Sequence, residues 1–261
     1  MSHRPRKRFG QHFLTSPEVI EQIVSAVSPR EGETIVEIGP GRAAITAPLV
    51  SVATEFHAIE FDRDLVAELK TKYAGNDRVT IHEADALEFD FSTLGNKLRI
   101  VGNLPYNIST PLLFHLLNFK TCISDAHFML QKEVVDRMCA GPGNKSYGRL
   151  TVMLGCQMEM VPLFDVPPES FSPPPKVMSS VIRMRPIPEP GIEVQDPDLL
   201  TSIVRAAFSR RRKTLRNALQ GEVEAEDLAA VDIDPGARPE QVPIADWVAL
   251  ANHIAANQSS A

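Results

Sequence analysis

The chain has 261 residues, 43% of them hydrophobic and 23% charged, with a formal net charge of −6. That is enough apolar material for a full core, and the length predicts one large domain plus a smaller one. No run approaches the roughly 20 apolar residues of a membrane span, and SHRPRKRFGQHF near the start lacks the apolar stretch of a secretory signal, so a cytoplasmic, non-membrane protein is expected.

In chain order, Arg4, Arg6, Lys7 and Arg8 precede the first acid, Glu18. Ser16-Pro17-Glu18 predicts a helix start: a hydroxyl cap, proline in the first turn, and an acid at the positive end of the helix dipole. Ile20, Ile23, Val24 and Val27 then share one helical face. Short β-branched or apolar runs follow at 34–38, 55–60, 78–84, 97–102 and 126–130. Between them lie helical patterns, among them RDLVAELKTKY, the Thr110-Pro111 start of LLFHLLNF, and KEVVDRMCA. Strands alternating with helices predict an α/β fold with a mostly parallel sheet. EMVPLFDV and SSVIRMRP, flanking PPESFSPPPK, add an antiparallel edge pair. PIPEPGIEVQDPD reads as a linker, and LLTSIVRAAFSRRRKTLRNAL and ADWVALANHIA as helices of a small all-α domain. The expected division is therefore 1–186 and 187–261.

Charge is unevenly distributed. Arg205, Arg210, Arg211, Arg212, Lys213 and Arg216 form a second basic block, whereas from Gly221 onward eight carboxylates accompany one Arg238. The negative total thus says little about the basic surfaces, which suit a nucleic acid. Cys122, Cys139 and Cys156 show no C-x-x-C pairing, so neither a disulfide framework nor a zinc site is indicated.

In an open parallel sheet, ligands lie beyond the carboxyl ends of the strands. Here the first core strand ends in Glu37-Ile38-Gly39-Pro40-Gly41-Arg42, the second in Glu60, the third before Ala84-Asp85-Ala86, and the fourth in Asn103-Leu104-Pro105-Tyr106. Each element has a bland reading: a glycine turn, a helix-capping acid, a loop with an aromatic lid. Their order favours one shared site. No serine-histidine-acid order, P-loop or metal-ligand cluster appears, which fits group transfer from an activated donor such as S-adenosylmethionine. Adenine's exocyclic amine is a poor acceptor because its lone pair is delocalised into the ring. If the Asn103 side-chain oxygen and the Leu104 carbonyl accept hydrogen bonds from that amine, they free the lone pair and stabilise the charge that develops. Pro105 fixes the turn, and Tyr106 offers a stacking face for an unstacked base.

These residues resemble the small-subunit ribosomal RNA adenine dimethyltransferase family, the KsgA type, over nearly the whole chain. KRFGQHFL, EIGPG, AIEFD, EADAL, NLPYNIS, QKEVVDRM, GPGNKSYGRLTVM, FSPPPKVMSSVIRM and FSRRRKTLRNAL are similar to its successive segments. The resemblance implies a Rossmann-like S-adenosylmethionine-dependent methyltransferase domain and a helical C-terminal domain that contacts RNA. It implies cofactor contacts at Gln11, His12, Leu14, Gly39, Gly41, Glu60, Asp85, Ala86 and Asn103. Base contacts fall on Asn103, Leu104, Pro105, Tyr106 and Phe171. RNA contacts fall on Arg4, Arg6, Lys7, Arg8, Lys145, Arg149, Arg210, Arg211, Arg212, Lys213 and Arg216. The implied reaction dimethylates two adjacent adenosines near the 3′ end of small-subunit rRNA within an assembling subunit, by a monomer without a metal. Arg42-Ala43-Ala44 departs from the family's leucine-glycine-alanine pattern, which leaves the role of Arg42 open. Competing readings are a large-subunit rRNA methyltransferase of the antibiotic-resistance type and a nicotinamide-dependent dehydrogenase using Gly39-x-Gly41-x-x-Ala44. A non-catalytic assembly chaperone is a further competing reading, compatible also with an enzymatic role.

Overall fold

The β-branched runs do form strands, and the computed structural model, which describes residues 12–188 and 193–259, joins seven of them in one sheet. A two-residue strand β1 (Phe13–Leu14) precedes α1 (Pro17–Val27). Strands and helices then alternate: β2 (Thr34–Ile38), α2 (Thr46–Val50), β3 (Glu55–Glu60), α3 (Arg63–Lys72), β4 (Val79–Glu83), β5 (Leu98–Asn103), α4 (Ser109–Leu117), β6 (Ile123–Gln131) and α5 (Lys132–Met138). Next come α6 (Arg149–Gly155), β7 (Met158–Val166), β8 (Phe171–Ser172) and β9 (Ser179–Pro186). The remaining helices are α7 (Pro197–Ser209), α8 (Leu215–Ala218), α9 (Ala225–Ala230) and α10 (Ile244–Ser259).

The large sheet has the order β4-β3-β2-β5-β6-β9-β7. From β4 to β6 neighbouring strands run parallel, and β9 lies antiparallel to β6. This is the α/β architecture with an antiparallel edge that the alternating pattern predicts. From β2 the chain steps outward through β3 and β4, then returns to β5 on the other side of β2. Strand order therefore reverses between β2 and β5, and their carboxyl ends frame a crevice. Close approach there depends on Gly102, where a Cβ would stand 2.7 Å from the Ile38 carbonyl oxygen. A side chain at 102 would push the two strands apart.

The described N-terminal segment is tied to this frame at both ends of α1. The Ser16 side chain caps α1 by accepting the Val19 N–H at 3.3 Å, and the helix buries Val19, Ile23 and Val27. At the other end of α1, buried Arg99 donates to the Val27 carbonyl at 2.6 Å and to Asp125 through two bonds of 3.0 and 2.8 Å. A cation at a helix carboxyl end answers the unpaired carbonyls there. Ahead of the helix, Thr15 N–H reaches the Ser170 carbonyl at 2.8 Å, and β1 pairs with β8 as a separate two-stranded sheet.

The chain divides into two compact units. One holds the described residues through Val135 together with Met160–Pro186, and the other holds Asp136–Glu159 together with the described residues from Ile187. A division at 186/187 leaves 136–159 with the first unit. Within the second unit, however, this segment is bound to the C-terminal helices: Tyr147 is fully buried, its hydroxyl donates to the Val242 carbonyl at 2.8 Å, and Trp247 is buried close by, with Phe208 between the two rings. The helix expected across 199–219 is also broken. It ends at Ser209, turns through Arg210–Lys213, and restarts behind the extended Thr214. Four consecutive cations sit better just beyond a helix carboxyl end than stacked inside a helix. Among the described residues no helix is long and apolar enough to cross a membrane.

Candidate functional site

The first unit holds a cavity of about 230 Å³ at the carboxyl ends of β2, β3, β4 and β5. His12, Leu14, Gly39, Gly41, Glu60, Asp85, Ala86, Asn103, Leu104, Pro105 and Tyr106 all line it. The strand-end residues singled out in the sequence are thus brought together. A second hollow beside Gly102 and His127 measures only about 10 Å³, room for one water at most.

The floor is the turn after β2. Gly41 has φ +56°, and a Cβ there would meet two ring carbons of Phe13 at 3.2 Å, so both the backbone conformation and the Phe13 ring packed on the turn favour glycine. Beside it, Glu60 is 8% exposed. Its Oε2 accepts the Gly41 N–H at 3.3 Å and its Oε1 the Asp62 N–H at 2.9 Å. Burial raises this carboxyl above the ordinary range, while the N–H donors of Asp62, Gly41 and Phe61 oppose the shift and neighbouring Asp62 reinforces it. Three N–H donors still leave the carboxyl a lone pair for a ligand hydroxyl. On the next strand end, Asp85 Oδ1 accepts the Leu87 N–H at 2.9 Å and holds the turn that buries Ala86.

The Asn103-to-Tyr106 stretch is braced from three directions. Asn103 Nδ2 donates to the His12 carbonyl at 3.0 Å, and Leu104 N–H donates to the Met129 carbonyl at 3.2 Å. The Tyr106 hydroxyl shares a hydrogen bond of 2.9 Å with Ser179 Oγ, and burial raises the phenol above its ordinary range. The His12 imidazole lies on the Tyr106 ring, with 5.9 Å between centroids and 29° between planes, and its Nδ1 donates to the Pro173 carbonyl at 2.8 Å. Tyr106 is half-buried, a ring fixed at both its face and its hydroxyl.

Phe171 departs from expectation. It is 4% exposed, belongs to the core cluster with Leu14, Ile23 and Val181, and does not line the cavity. On the two-residue β8, alternation turns Phe171 inward and Ser172 outward. Sequence reasoning also missed Ser179 and Pro173, because contacts across 73 and 161 residues leave no local pattern. It named Glu37 at the strand end but gave it no role; this residue is 1% exposed and accepts a hydrogen bond from Thr46 Oγ1.

The residues of the second unit expected to contact RNA, Lys145, Arg149, Arg210, Arg211, Arg212, Lys213 and Arg216, are all exposed. Two of them also hold main chain. Arg211 donates to the carbonyls of Lys145 and, at 3.0 Å, Tyr147, and Arg210 donates to that of Asn217 at 3.4 Å. Arg4, Arg6, Lys7, Arg8 and Gln11 lie outside the described residues. Cys122, Cys139 and Cys156 are not joined in disulfides, and among the described residues no group of three metal-ligating side chains occurs.

A family model described as ribosomal RNA adenine dimethylase matches residues 2–256. The chain is 55% identical, over 99% of its own length and 97% of the relative's, to ribosomal RNA small subunit methyltransferase A of Aromatoleum aromaticum. The crystal structure of a dimethyladenosine transferase from Plasmodium falciparum superposes with a TM-score of 0.81 at 26% identity, covering 92% of this chain and 96% of that one. The crystal structure of the 23S rRNA methyltransferase ErmE gives 0.72 at 25% identity, covering 93% and 99%. Both of these enzymes share the fold, and the 55% identity to a small-subunit enzyme, against 25% to the 23S rRNA enzyme, favours the small subunit.

Proposed function

The chain belongs to the ribosomal RNA adenine dimethylase family, and from that premise we propose S-adenosylmethionine as its methyl donor. The acceptors are the exocyclic amines of two adjacent adenosines near the 3′ end of small-subunit rRNA, each taking two methyl groups. The protein acts as a cytoplasmic monomer on an assembling subunit. The observation that carries this reading is the single crevice at the reversal of strand order, lined together by Gly39, Gly41, Glu60, Asp85 and Asn103.

The residues present fit the donor. The Gly39-Pro40-Gly41 turn lines the crevice with side-chain-poor backbone, Glu60 has acceptor capacity for ribose hydroxyls, and Asp85 beside buried Ala86 suits the edge of a purine. When bound, S-adenosylmethionine supplies an electrophilic methyl group on a sulfonium.

The chain's own contribution is alignment and charge. With Nδ2 committed to His12, the Asn103 oxygen is the end of the amide left to accept from the target amine. A second acceptor, the Leu104 carbonyl, is aimed by Pro105, whose own carbonyl takes the Ile108 N–H at 3.1 Å and closes the turn. Two acceptors on one amine draw its lone pair out of conjugation and stabilise the positive charge that grows on nitrogen. The extra proton leaves readily to water, since a charged nitrogen attached to the ring is strongly acidic, so no general base is needed. Tyr106 carries the extruded base on its face, a contribution of about 1–3 kcal/mol.

Incubation with labelled methyl donor and undermethylated small subunits, followed by mass spectrometry of the modified nucleosides, tests this. Dimethyladenosine at two neighbouring positions near the 3′ end is expected. Label confined to large-subunit rRNA, or none at all, refutes the reading.

A further inference from the structure

Arg42 directly follows the Gly39-Pro40-Gly41 turn and lines the cavity. Its guanidinium carbon lies 4.7 Å from the centroid of the Phe13 ring. That ring is 8% exposed and belongs to β1, whose Phe13 pairs with Ser172 of β8, so it is a fixed platform. A guanidinium resting on an aromatic face keeps its N–H donors at the rim, where they can engage a planar anion.

Charge around the cavity is sorted by strand. Acidic side chains are contributed by Glu37, Glu60, Asp62 and Asp85, and among the described lining residues Arg42 is the sole lysine or arginine. The strand order β4-β3-β2-β5 puts Asp85 at one end, Glu60 next, and the glycine turn with Arg42 third, beside Asn103. Phe13 adjoins His12, whose carbonyl takes the Asn103 amide, so the Arg42 platform belongs to the β2–β5 side and stands apart from Asp85. A donor laid with its adenosyl end on Asp85 and Glu60 and its sulfur facing Asn103 brings its remaining part, an α-amino acid, to that side. The chemical feature at that end is a carboxylate, the partner that arginine matches with two parallel N–H donors.

We propose that Arg42 is the binding residue for the amino-acid carboxylate of the methyl donor, an inference that rests on the S-adenosylmethionine reading above. Arg42 anchors the tail of the donor, and the glycine turn and Glu60 hold the nucleoside independently of it.

Calorimetric titration with two nucleosides that differ in the amino-acid tail provides the test. S-adenosylhomocysteine carries the tail and 5′-methylthioadenosine lacks it. Arg42→Leu is expected to weaken S-adenosylhomocysteine about tenfold and leave methylthioadenosine within about twofold, and Arg42→Lys to fall between Leu and wild type. Arg42 is exposed, and unchanged methylthioadenosine binding certifies the fold of each variant. Equal weakening of both ligands overturns the carboxylate assignment in favour of a disturbed glycine turn. If Arg42→Leu changes neither ligand but weakens RNA binding, the residue faces a phosphate and the assignment again fails. Wild-type protein that binds neither nucleoside defeats the donor reading itself.

Discussion

The side-chain amide of Asn103 donates to the main-chain carbonyl of His12 at 3.0 Å. A carbonyl only accepts, so the NH₂ end of the amide must face it and the oxygen is directed elsewhere. A residue 91 positions earlier in the chain thereby sets which end of Asn103 is offered to a substrate. Asn103→Ala removes the acceptor. Asn103→Asp keeps the shape but sets a carboxylate oxygen against the His12 carbonyl. Both are expected to lower kcat by about 10²–10³, the usual cost of losing one aimed polar group, with RNA affinity within a few fold of wild type. Single-turnover methylation that proceeds near the wild-type rate in either variant would show that the amide is not part of the chemistry.

Tyr106 separates stacking from anchoring. Tyr106→Phe loses the Ser179 hydrogen bond but keeps the ring and its His12 contact, so a loss of only a few fold in kcat/KM is expected. Tyr106→Ala also loses the platform, at a further cost of about 1–3 kcal/mol. Equal rates for the two variants would mean that no base lies on the ring.

Legibility in the sequence followed the range of the interactions. Parallel strands buried in an α/β core read as β-branched runs, and their carboxyl ends carry glycines, acids and the Asn103–Tyr106 turn, so most of the cavity wall could be named from local pattern alone. What escaped depends on long-range pairing. The β1–β8 pair spans two residues a side, too short for any periodicity, yet it decides that Phe171 faces the core and brings His12 to Asn103 and Tyr106. The segment around Tyr147 likewise joins the second unit through one buried ring and its bond to Val242, a partner 95 residues away.

Arg99 and Asp125 form a buried bidentate pair that also fixes the end of α1 through the Val27 carbonyl. Removing Arg99 strands Asp125 as a buried charge, and removing Asp125 leaves Arg99 with only the less buried Glu33, 2.8 Å away. Arg99→Met or Asp125→Leu is therefore expected to cost about 3–5 kcal/mol in chemical denaturation, and the double variant less than the sum of the two. Strict additivity would show that the charges are not coupled.

In the second unit, Arg211 holds the carbonyls of Lys145 and Tyr147, whereas Arg212, Lys213 and Arg216 are exposed at the turn and on α8. Neutralising each of the latter three should reduce the slope of log affinity for rRNA against log salt by about 0.7–0.9. Arg211→Ala should in addition speed amide exchange in Asn144–Tyr147, which Arg212→Ala leaves unchanged. Unaltered salt slopes would place the RNA surface elsewhere.

Glu37 links the cavity floor to pH. Its carboxyl is buried and pushed up to about 8 by loss of solvent; the Thr46 hydroxyl opposes this, Glu60 adds to it and Lys72 opposes it. The ordinary value is 4.5, so between about 4.5 and 8 the folded chain holds a proton there that the unfolded chain has released. Unfolding free energy changes with pH in proportion to protons bound in the unfolded state minus those bound in the folded state. For Glu37 that difference is negative, so its contribution falls as pH rises through this window, by at most about 1.4 kcal/mol per pH unit, and levels off above it. Glu37→Gln keeps an acceptor for Thr46 and cannot ionise. The variant should match wild type near pH 5 and become the more stable protein by pH 8, in denaturant melts at each pH. A stability difference that stays flat from pH 5 to 8 would mean that the wild-type carboxyl is already ionised at the bottom of this range, and that the site is wetter than its burial implies.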